Sequence, residues 1–418
     1  MSNSAISHDL LAPVRLSNFR RFIFANSILI IGQRIQVVAV GWEVYEKTGS
    51  AVQLGYVGLT QFLPILLFSL FSGHIVDSFN RKTILLLSLA STAAIAAALA
   101  WNSGADLVLT YVLLFLSGTV RCFQNPARVS LIPRIVPKDL FVAAVRWTTT
   151  GFQISLMIGP ALGGWIIGQT HSATYAYVSN ASLAVVGFLL IASLRYQRLY
   201  MQRQPWTLEA LLGGFHFIRD TKVILATMVL DAFAVLLGGA TALMPVYAKD
   251  ILLVGPSGLG WLLAAPSVGA LMMAAFQVTQ RPWARVGRAM LLSLVGFGLA
   301  TILFGLSTNF WLSMLCLLML GACDNVSVVV RQTLIQVLTP EEMRGRVGAL
   351  HGLFVGTSNE LGGFESGMVA GLFGPVFSVV SGGIGTFLVT LTVMKLYPQL
   401  KNYEIGKSEE RAIHVSTQ

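Results

Sequence analysis

Apolar residues along this chain gather into twelve long runs separated by short polar breaks, at 22–42, 54–75, 84–101, 107–123, 141–167, 175–194, 223–247, 259–278, 290–306, 310–330, 347–372 and 376–394. A helix needs roughly 20 apolar residues to cross the hydrocarbon of a bilayer. The runs have about that length, so the pattern predicts an all-α integral membrane protein with twelve transmembrane helices. Six runs precede a polar connector and six follow it. The division predicted is an N-terminal six-helix bundle at 1–194, a linker at 195–222, and a C-terminal six-helix bundle with its tail at 223–418.

A repeat supports two bundles of like build. Arg128-Val-Ser-Leu131-Ile132 leading to Pro137-Lys-Asp-Leu140 returns 203 positions later as Arg331-Gln-Thr-Leu334-Ile335 leading to Pro340-Glu-Glu-Met343. The same shift carries Gly118 to Gly321 and Arg121 to Asp324. Duplication with six spans on either side implies two pseudo-symmetric bundles facing each other. Inside the connector, Leu208, Leu211, Leu212, Phe215 and Ile218 recur at helical spacing behind Thr207, a suitable N-cap, with Trp206 beside it. The stripe predicts a short amphipathic helix at the membrane face. A plain tether with an accidental stripe is the alternative.

Composition removes the soluble classes. Of 418 residues 55% are hydrophobic and 11% charged, with mean hydropathy +0.72, whereas soluble domains carry about 25% charged residues. The net charge of +10 would suit nucleic acid, but its distribution points elsewhere. With both termini inside, the inner side receives nearly all the Lys and Arg, the outer loops keep Lys47 and Lys249, and Arg34, Arg121 and Arg146 fall at membrane depth. This asymmetry is the positive-inside rule, and it calls for no nucleic-acid partner. The localisation expected is a bacterial inner membrane, multi-pass, with cytoplasmic termini. Arg20 and Arg21 precede a full-length first span with no convincing cleavage site, so no cleavable signal peptide is expected. Cys122, Cys316 and Cys323 lie in apolar spans and read as small buried hydrophobes rather than a disulfide framework.

Between the second and third runs stands Gly73-His-Ile-Val-Asp77-Ser-Phe-Asn-Arg81-Lys82. A G-x-x-x-D-x-x-x-R-K loop between two membrane helices resembles the signature of the major facilitator superfamily. The residues suggest a charged latch. Gly73 permits close helix approach, and Asp77 at the end of helix 2 is poorly placed for its own helix dipole. It would sit better at the N-terminus of another helix, and the resemblance makes helix 11 the partner. Arg81 and Lys82 can pair with acids on neighbouring helices or with anionic lipid headgroups. The alternative is ordinary positive-inside charge in a tight loop. The corresponding second-half loop, around Arg281, Arg285 and Arg288, lacks the Gly and Asp.

Two further runs carry the same resemblance. Helix 5 contains Ser155-Leu-Met-Ile-Gly159-Pro160-Ala-Leu-Gly163-Gly164. Pro160 withholds a hydrogen bond from Leu156, and the glycines let a neighbouring backbone come close. The run resembles the G-x-x-x-G-P-x-x-G-G motif of proton-driven exporters of the superfamily, which implies export over uptake. Helix 4 contains Arg121-Cys-Phe-Gln124, similar to the superfamily's R-x-x-Q-G except that Asn125 replaces the glycine. An intramembrane arginine is costly unless paired or watered and by default suggests function. Asp324 on helix 10 is one partner that the pseudo-symmetry offers.

Other ionisable groups within the spans are Arg34, Glu43, Arg146, Asp231, Asp324, Glu360 and Glu365. Arg34 lies roughly 18 Å along helix 1 from Phe22, flanked by Gln33 and Gln36, and Glu360 is about 20 Å along helix 11 from Val347. Both are mid-depth. A carboxylate held out of water can take up and release a proton as access switches. Glu360, Asp324 and Asp231 are therefore candidate proton carriers, with static salt bridges to Arg34, Arg121 or Arg146 as the alternative. Glu43 and Arg146 sit near span ends and are expected to snorkel.

No P-loop, zinc-ligand spacing or nucleophile elbow occurs. The chain reads as no enzyme and as needing no cofactor or metal. The whole chain resembles the major facilitator superfamily, and more narrowly the bacterial subgroup that contains the enterobactin exporter. The narrower match rests on Leu211-Leu-Gly-Gly-Phe215, Gly258-Leu-Gly260-Trp-Leu-Leu-Ala-Ala-Pro266 and Thr339-Pro340-Glu-Glu-Met-Arg344-Gly345-Arg346. The resemblance implies alternating access and export of a small organic molecule by proton antiport. The substrate is expected near midplane among Arg34, Gln33, Gln36, Arg121, Asp231, Asp324 and Glu360, with protons and membrane lipids as the other partners and no oligomer required. Three basic groups at depth suit an anionic or catechol-bearing substrate, or else they neutralise the acids. An uptake permease or uniporter is the nearest rival, and a non-transporting receptor or assembly partner the rival of another class.

Overall fold

The computed structural model describes residues 11–195, 208–279 and 285–401, except for the side chains of Leu70, His74, Asp77, Lys401 and residues 208–212. Its long helices are α1 Ser17–Thr48, α2 Ala51–Ser78, α3 Arg81–Asn102, α4 Leu107–Ile135, α5 Phe141–Thr170 and α6 Ala173–Ala192. The second set is α7 Lys222–Leu237, α8 Gly255–Thr279, α9 Val286–Leu306, α10 Phe310–Leu338, α11 Glu341–Phe373 and α12 Pro375–Leu396. Among the described residues, eleven helices are long and apolar enough to cross a membrane. α11 is the twelfth, 33 residues long and diluted by glycine, Glu360 and Glu365. It packs along α2 and α7.

Local chemistry sets the helix ends. Asn80, Asp106, Ser172 and Asn309 cap α3, α4, α6 and α10, each accepting from backbone N–H groups of the first turn. α1 stops at Gly49, whose φ of +60 suits glycine. Several helices run past the limits expected from apolarity, because a helix continues wherever packing supports it. α4 extends to Ile135 through Pro126 and Pro133, and α10 extends to Leu338. α7 instead breaks after Leu237, where the sequence predicted an unbroken span. A methyl at Gly239 would stand 2.5 Å from the carbonyl oxygen of Gly362 on α11. The chain passes this crossing in a 3-10 turn, Ala240–Leu243, then a helical turn and a π-turn, Tyr247–Ile251.

Successive helices run up and down, which puts Arg20, Arg81, Lys82, Lys138, Arg195, Lys222, Arg344 and Lys395 at one end, here the basic end. Lys47 and Lys249 lie at the far end. α2 packs on α11 and α5 on α8, and these two pairs form the seam between the bundles. The largest apolar cluster crosses that seam at the far end, uniting Tyr45 and Val44 of α1 with Tyr247, Leu259 and Ala370 of the other half. Toward the basic end the cores are separate, one around Phe22, Leu85 and Leu131, another around Leu230, Met290 and Val330. Two bodies joined at one end and parted at the other enclose a cleft that opens at the basic end.

The linker helix, Leu208–Asp220, appears where the stripe predicted it. Thr207 and Trp206 lie outside the described residues, as do the side chains of Leu208, Leu211 and Leu212. Ile218 is buried with Met228, Val347 and Leu350. The helix therefore docks on α7 and the basic end of α11, more than a tether would, while Phe215 stays 48% exposed.

Candidate functional site

The width of the seam can be followed along α2 and α11. At the far end, a methyl on Gly367 would stand 2.5 Å from Cα of Gly55, and one on Gly58 would stand 2.8 Å from the carbonyl oxygen of Glu360. One turn lower, Gly356 has its nearest neighbour, Ile65, at 3.9 Å. Gly352, Gly348, Gly345 and, on α2, Gly73 have nothing within 4 Å. The helices touch through backbone at the far end and lose contact below Glu360. α5 and α8 repeat the closure, since a methyl on Gly260 would meet the Pro160 carbonyl oxygen at 2.6 Å and Cα of Gly164 at 2.9 Å.

Polar groups reinforce the closed end. The Tyr45 hydroxyl donates to the Asp250 carboxylate across the bundles. Lys249 donates to the Glu46 carbonyl at 3.4 Å and lies 5.7 Å above the Tyr45 ring. A cavity of about 350 Å³ adjoins this seal, between Tyr45, Ala51, Asp250 and Gly371. The π-turn that ends the broken α7 is what brings Asp250 here. Nothing in an apolar run announces such a turn.

At the head of the cleft, Arg121 of α4 pairs with Glu360 of α11 at 3.6 Å, an ion pair between the two bundles. Arg121 also donates to the Gln61 side chain on α2. Gln33 of α1 donates to Gln124 of α4 at 2.8 Å. Arg34 lies within electrostatic reach of both Arg121 and Glu360. Two guanidinium groups thus share one carboxylate where the seam begins to part. Gln36 does not join them, contrary to expectation. It is buried and accepts from Asn180 of α6 at 2.6 Å, because two residues along a helix turn it about 200° away from Arg34.

Asp231 and Asp324 also lie elsewhere, in a second cluster within the C-terminal bundle. Asp231 of α7 pairs with Arg331 of α10, and Arg331 Nε donates to His351 Nε2 of α11 at 2.8 Å. Asp324 is within electrostatic reach of Asp231 and Arg331. The pairings of Arg121 with Asp324, and of Asp231 with Arg34, Arg121 or Arg146, are therefore replaced. Arg331 falls by position with the inner-side charges, yet it is 2% exposed. The repeat was the available signal, for its counterpart Arg128 is also turned inward and donates to Asn26 of α1 at 2.9 Å. Glu43 likewise does not snorkel. It is 4% exposed and accepts from Tyr177 at 2.8 Å. Removing one partner of a buried ion pair costs about 3–5 kcal/mol. Asp231→Ala should lower thermal stability in detergent by that order, and adding Arg331→Met should restore most of it. Equal losses in the single and double variants would mean that the pair does not matter.

The described members of the loop motif depart from expectation. Lys82 donates to the carbonyls of Ala192 at 2.7 Å and Leu194 at 2.8 Å, capping the end of α6 where acids or lipid were expected. Gly73 makes no close approach in this conformation, and the Asp77 side chain lies outside the described residues. In α5 the glycines divide their work. Gly159 and Gly163 pack on α1 beside Arg34 and Ile35, while Gly164 packs across the seam on α8.

A family model described as "Transmembrane secretion effector" matches residues 8–414. The enterobactin exporter EntS of Escherichia coli (strain K12) is 25% identical over 392 residues, covering 92% of this chain and 93% of that protein. EntS of Shigella boydii serotype 18 matches equally. Among solved structures, a bacterial homologue of the human lysosomal transporter Spinster, inward-facing and occupied, aligns with TM-score 0.74 at 12% identity, over 93% of this chain and 98% of that one. The nucleoside transporter NupG aligns with TM-score 0.70 at 12% identity, over 91% and 99%.

Proposed function

Because the chain belongs to the transmembrane secretion effector family of the major facilitator superfamily, we propose that this transporter exports a small organic molecule, drug-like or siderophore-like, against an inward flow of protons. With the basic end on the cytoplasmic side, as the positive-inside rule requires, the cleft faces the cytoplasm. An exporter loads from that side. The far-end seal then separates the site from the outside, and transport consists of opening that seal while closing the basic mouth.

The observation that carries this reading is the Arg121–Glu360 pair spanning the two bundles at the head of the cleft. A charge pair across a moving seam is a two-position element. Paired, it ties α4 to α11. Antiport requires the proton and the substrate to exclude each other at this site. A substrate whose hydroxyl or catechol groups donate to the Glu360 carboxylate is released when a proton from the far side neutralises that carboxylate. Enterobactin, named for the relatives, is the first compound to test on this chain. Gln33, Gln61 and Gln124 offer hydrogen bonds without adding charge. Inward proton flow has an electrical drive of about 2.3 kcal/mol per charge per 100 mV.

The test is transport in reconstituted vesicles. Enterobactin or a fluorescent drug loaded on the basic side should accumulate when a pH gradient is imposed, and a protonophore should abolish the accumulation. Equilibration indifferent to the gradient would favour a uniporter.

A further inference from the structure

The second charged cluster lies within the C-terminal bundle and touches α11 through His351. Asp231 and Arg331 are both buried and pair with one another. Asp324 stands seven residues from Arg331 on α10, hence on the same face two turns away, and is half-buried. Two carboxylates in reach of one guanidinium compete for it, and the competition ends when one of them binds a proton. Arg331 also holds His351, whose Nε2 accepts from its Nε. His351 belongs to α11. Nine residues further along the same helix, roughly 13 Å, stands Glu360 in its pair with Arg121.

We propose that Arg331 transmits the protonation state of Asp324 to α11 through His351, so that one proton decides how firmly α11 is held to its own bundle. This rests on the proton-antiport reading above and adds a transmission route to it. With the proton on Asp324, Arg331 gives one nitrogen to Asp231 and another to His351. When the Asp324 O–H bond breaks and the proton leaves to water, the new carboxylate draws the guanidinium. The contact to His351 gives way first, because a neutral acceptor holds a charged donor less strongly than a carboxylate does. α11 is then free to shift, and with it the Glu360 end of the seam. His351 is a positioning residue here, not a proton carrier.

Ionisable groups stand on each element packed against α11. α7 brings Asp231 and Lys222, and α10 brings Arg331 and Asp324. α2 carries His74 and Asp77 and α12 carries Lys395. The linker helix brings His216 and the mutually paired Arg219 and Asp220, and on α11 itself Arg346 lies against the linker helix at Gly214. Of these, Arg331 reaches the imidazole.

The experiment needs no substrate. In full-length protein in vesicles, with native cysteines replaced, spin labels at the exposed positions Phe79 and Glu342 report the width of the basic mouth at pH 6 and pH 8. In the parent protein the open population should change by about tenfold across this range. His351→Leu, which offers no acceptor, should leave the distance distribution unchanged by pH. His351→Gln, whose amide oxygen can accept from Nε, should restore the response. If the parent shifts and His351→Leu shifts equally, the link through His351 is overturned. A parent mouth that ignores pH overturns the whole cluster. Should His351→Leu fail to insert, Asp324→Asn serves, since it removes the competing charge, and a shift of parental size in that variant also overturns the proposal. Failure of antiport itself reads out separately, as vesicle transport indifferent to the pH gradient.

Discussion

Proton-driven transport should fall below about a tenth of the parent rate in Glu360→Gln, as expected for an intramembrane ionisable group that marks a transport path. Glutamine keeps the shape of glutamate and can still accept from Arg121. It cannot carry a proton or cancel a guanidinium charge. The ion pair across the seam at 3.6 Å becomes a neutral contact, leaving Arg121 and Arg34 as two like charges without a counter-ion. The seam then loses its charged tie. Two signs should appear together. Substrate binding should lose its dependence on pH, and release driven by the pH gradient should stop. Glu360→Asp, which retains the charge on a shorter arm, should recover part of the rate. Parent turnover in Glu360→Gln, measured in vesicles at matched protein density, would remove Glu360 from the transport cycle.

Much of this architecture was legible in the sequence, because a bilayer demands long apolar helices and leaves few alternatives. Twelve runs gave twelve helices, and the repeat gave two bundles. The misreadings share one cause. Hydropathy locates the hydrocarbon, but it cannot tell whether a polar residue near a helix end faces water or a neighbouring helix. By position Arg331 and Arg128 fall with the inner-side charges and Glu43 near a span end, yet each is turned into a bundle. Gln36 failed differently. Its position beside Arg34 in sequence says nothing about which side of α1 it occupies until the neighbours are known, and Asn180 holds it. The far-end seal was out of reach because it depends on a break in α7 that two glycines and a crowded crossing impose together. The charged site was half legible. Arg121 and Glu360 stood out as isolated charges at mid-depth, but their partnership joins residues of different bundles, and the sequence carries no sign of which faces meet.

Gly367→Val should hold the transporter open at the far end and reduce turnover by tenfold or more. A side chain there would meet Cα of Gly55 at 2.5 Å, its nitrogen at 2.6 Å and the Ala51 carbonyl oxygen at 2.8 Å. All three are backbone atoms of α2, so no rotamer can relieve the clash, and α2 and α11 must part. Overpacking of this kind costs about 1–3 kcal/mol, enough to shift a two-state equilibrium about tenfold or more in favour of the state without the contact. A cysteine at Ala370, buried beside the seal, should then react with an impermeant maleimide from the far side, where the parent is protected. The opposite experiment uses the other end of the same pair. Gly345, Gly348 and Gly352 on α11 and Gly73 on α2 touch nothing in this conformation, although glycine is a poor choice within a helix unless something must come close. Closing the basic mouth brings these segments together, so Gly352→Val should be tolerated in the conformation seen here and should block the next one. The two valines then bias the protein in opposite directions, with maleimide labelling of the far end raised by Gly367→Val and lowered by Gly352→Val. Equal labelling of both variants would show that the α2–α11 seam is a fixed contact, and that the two bundles do not rock about it.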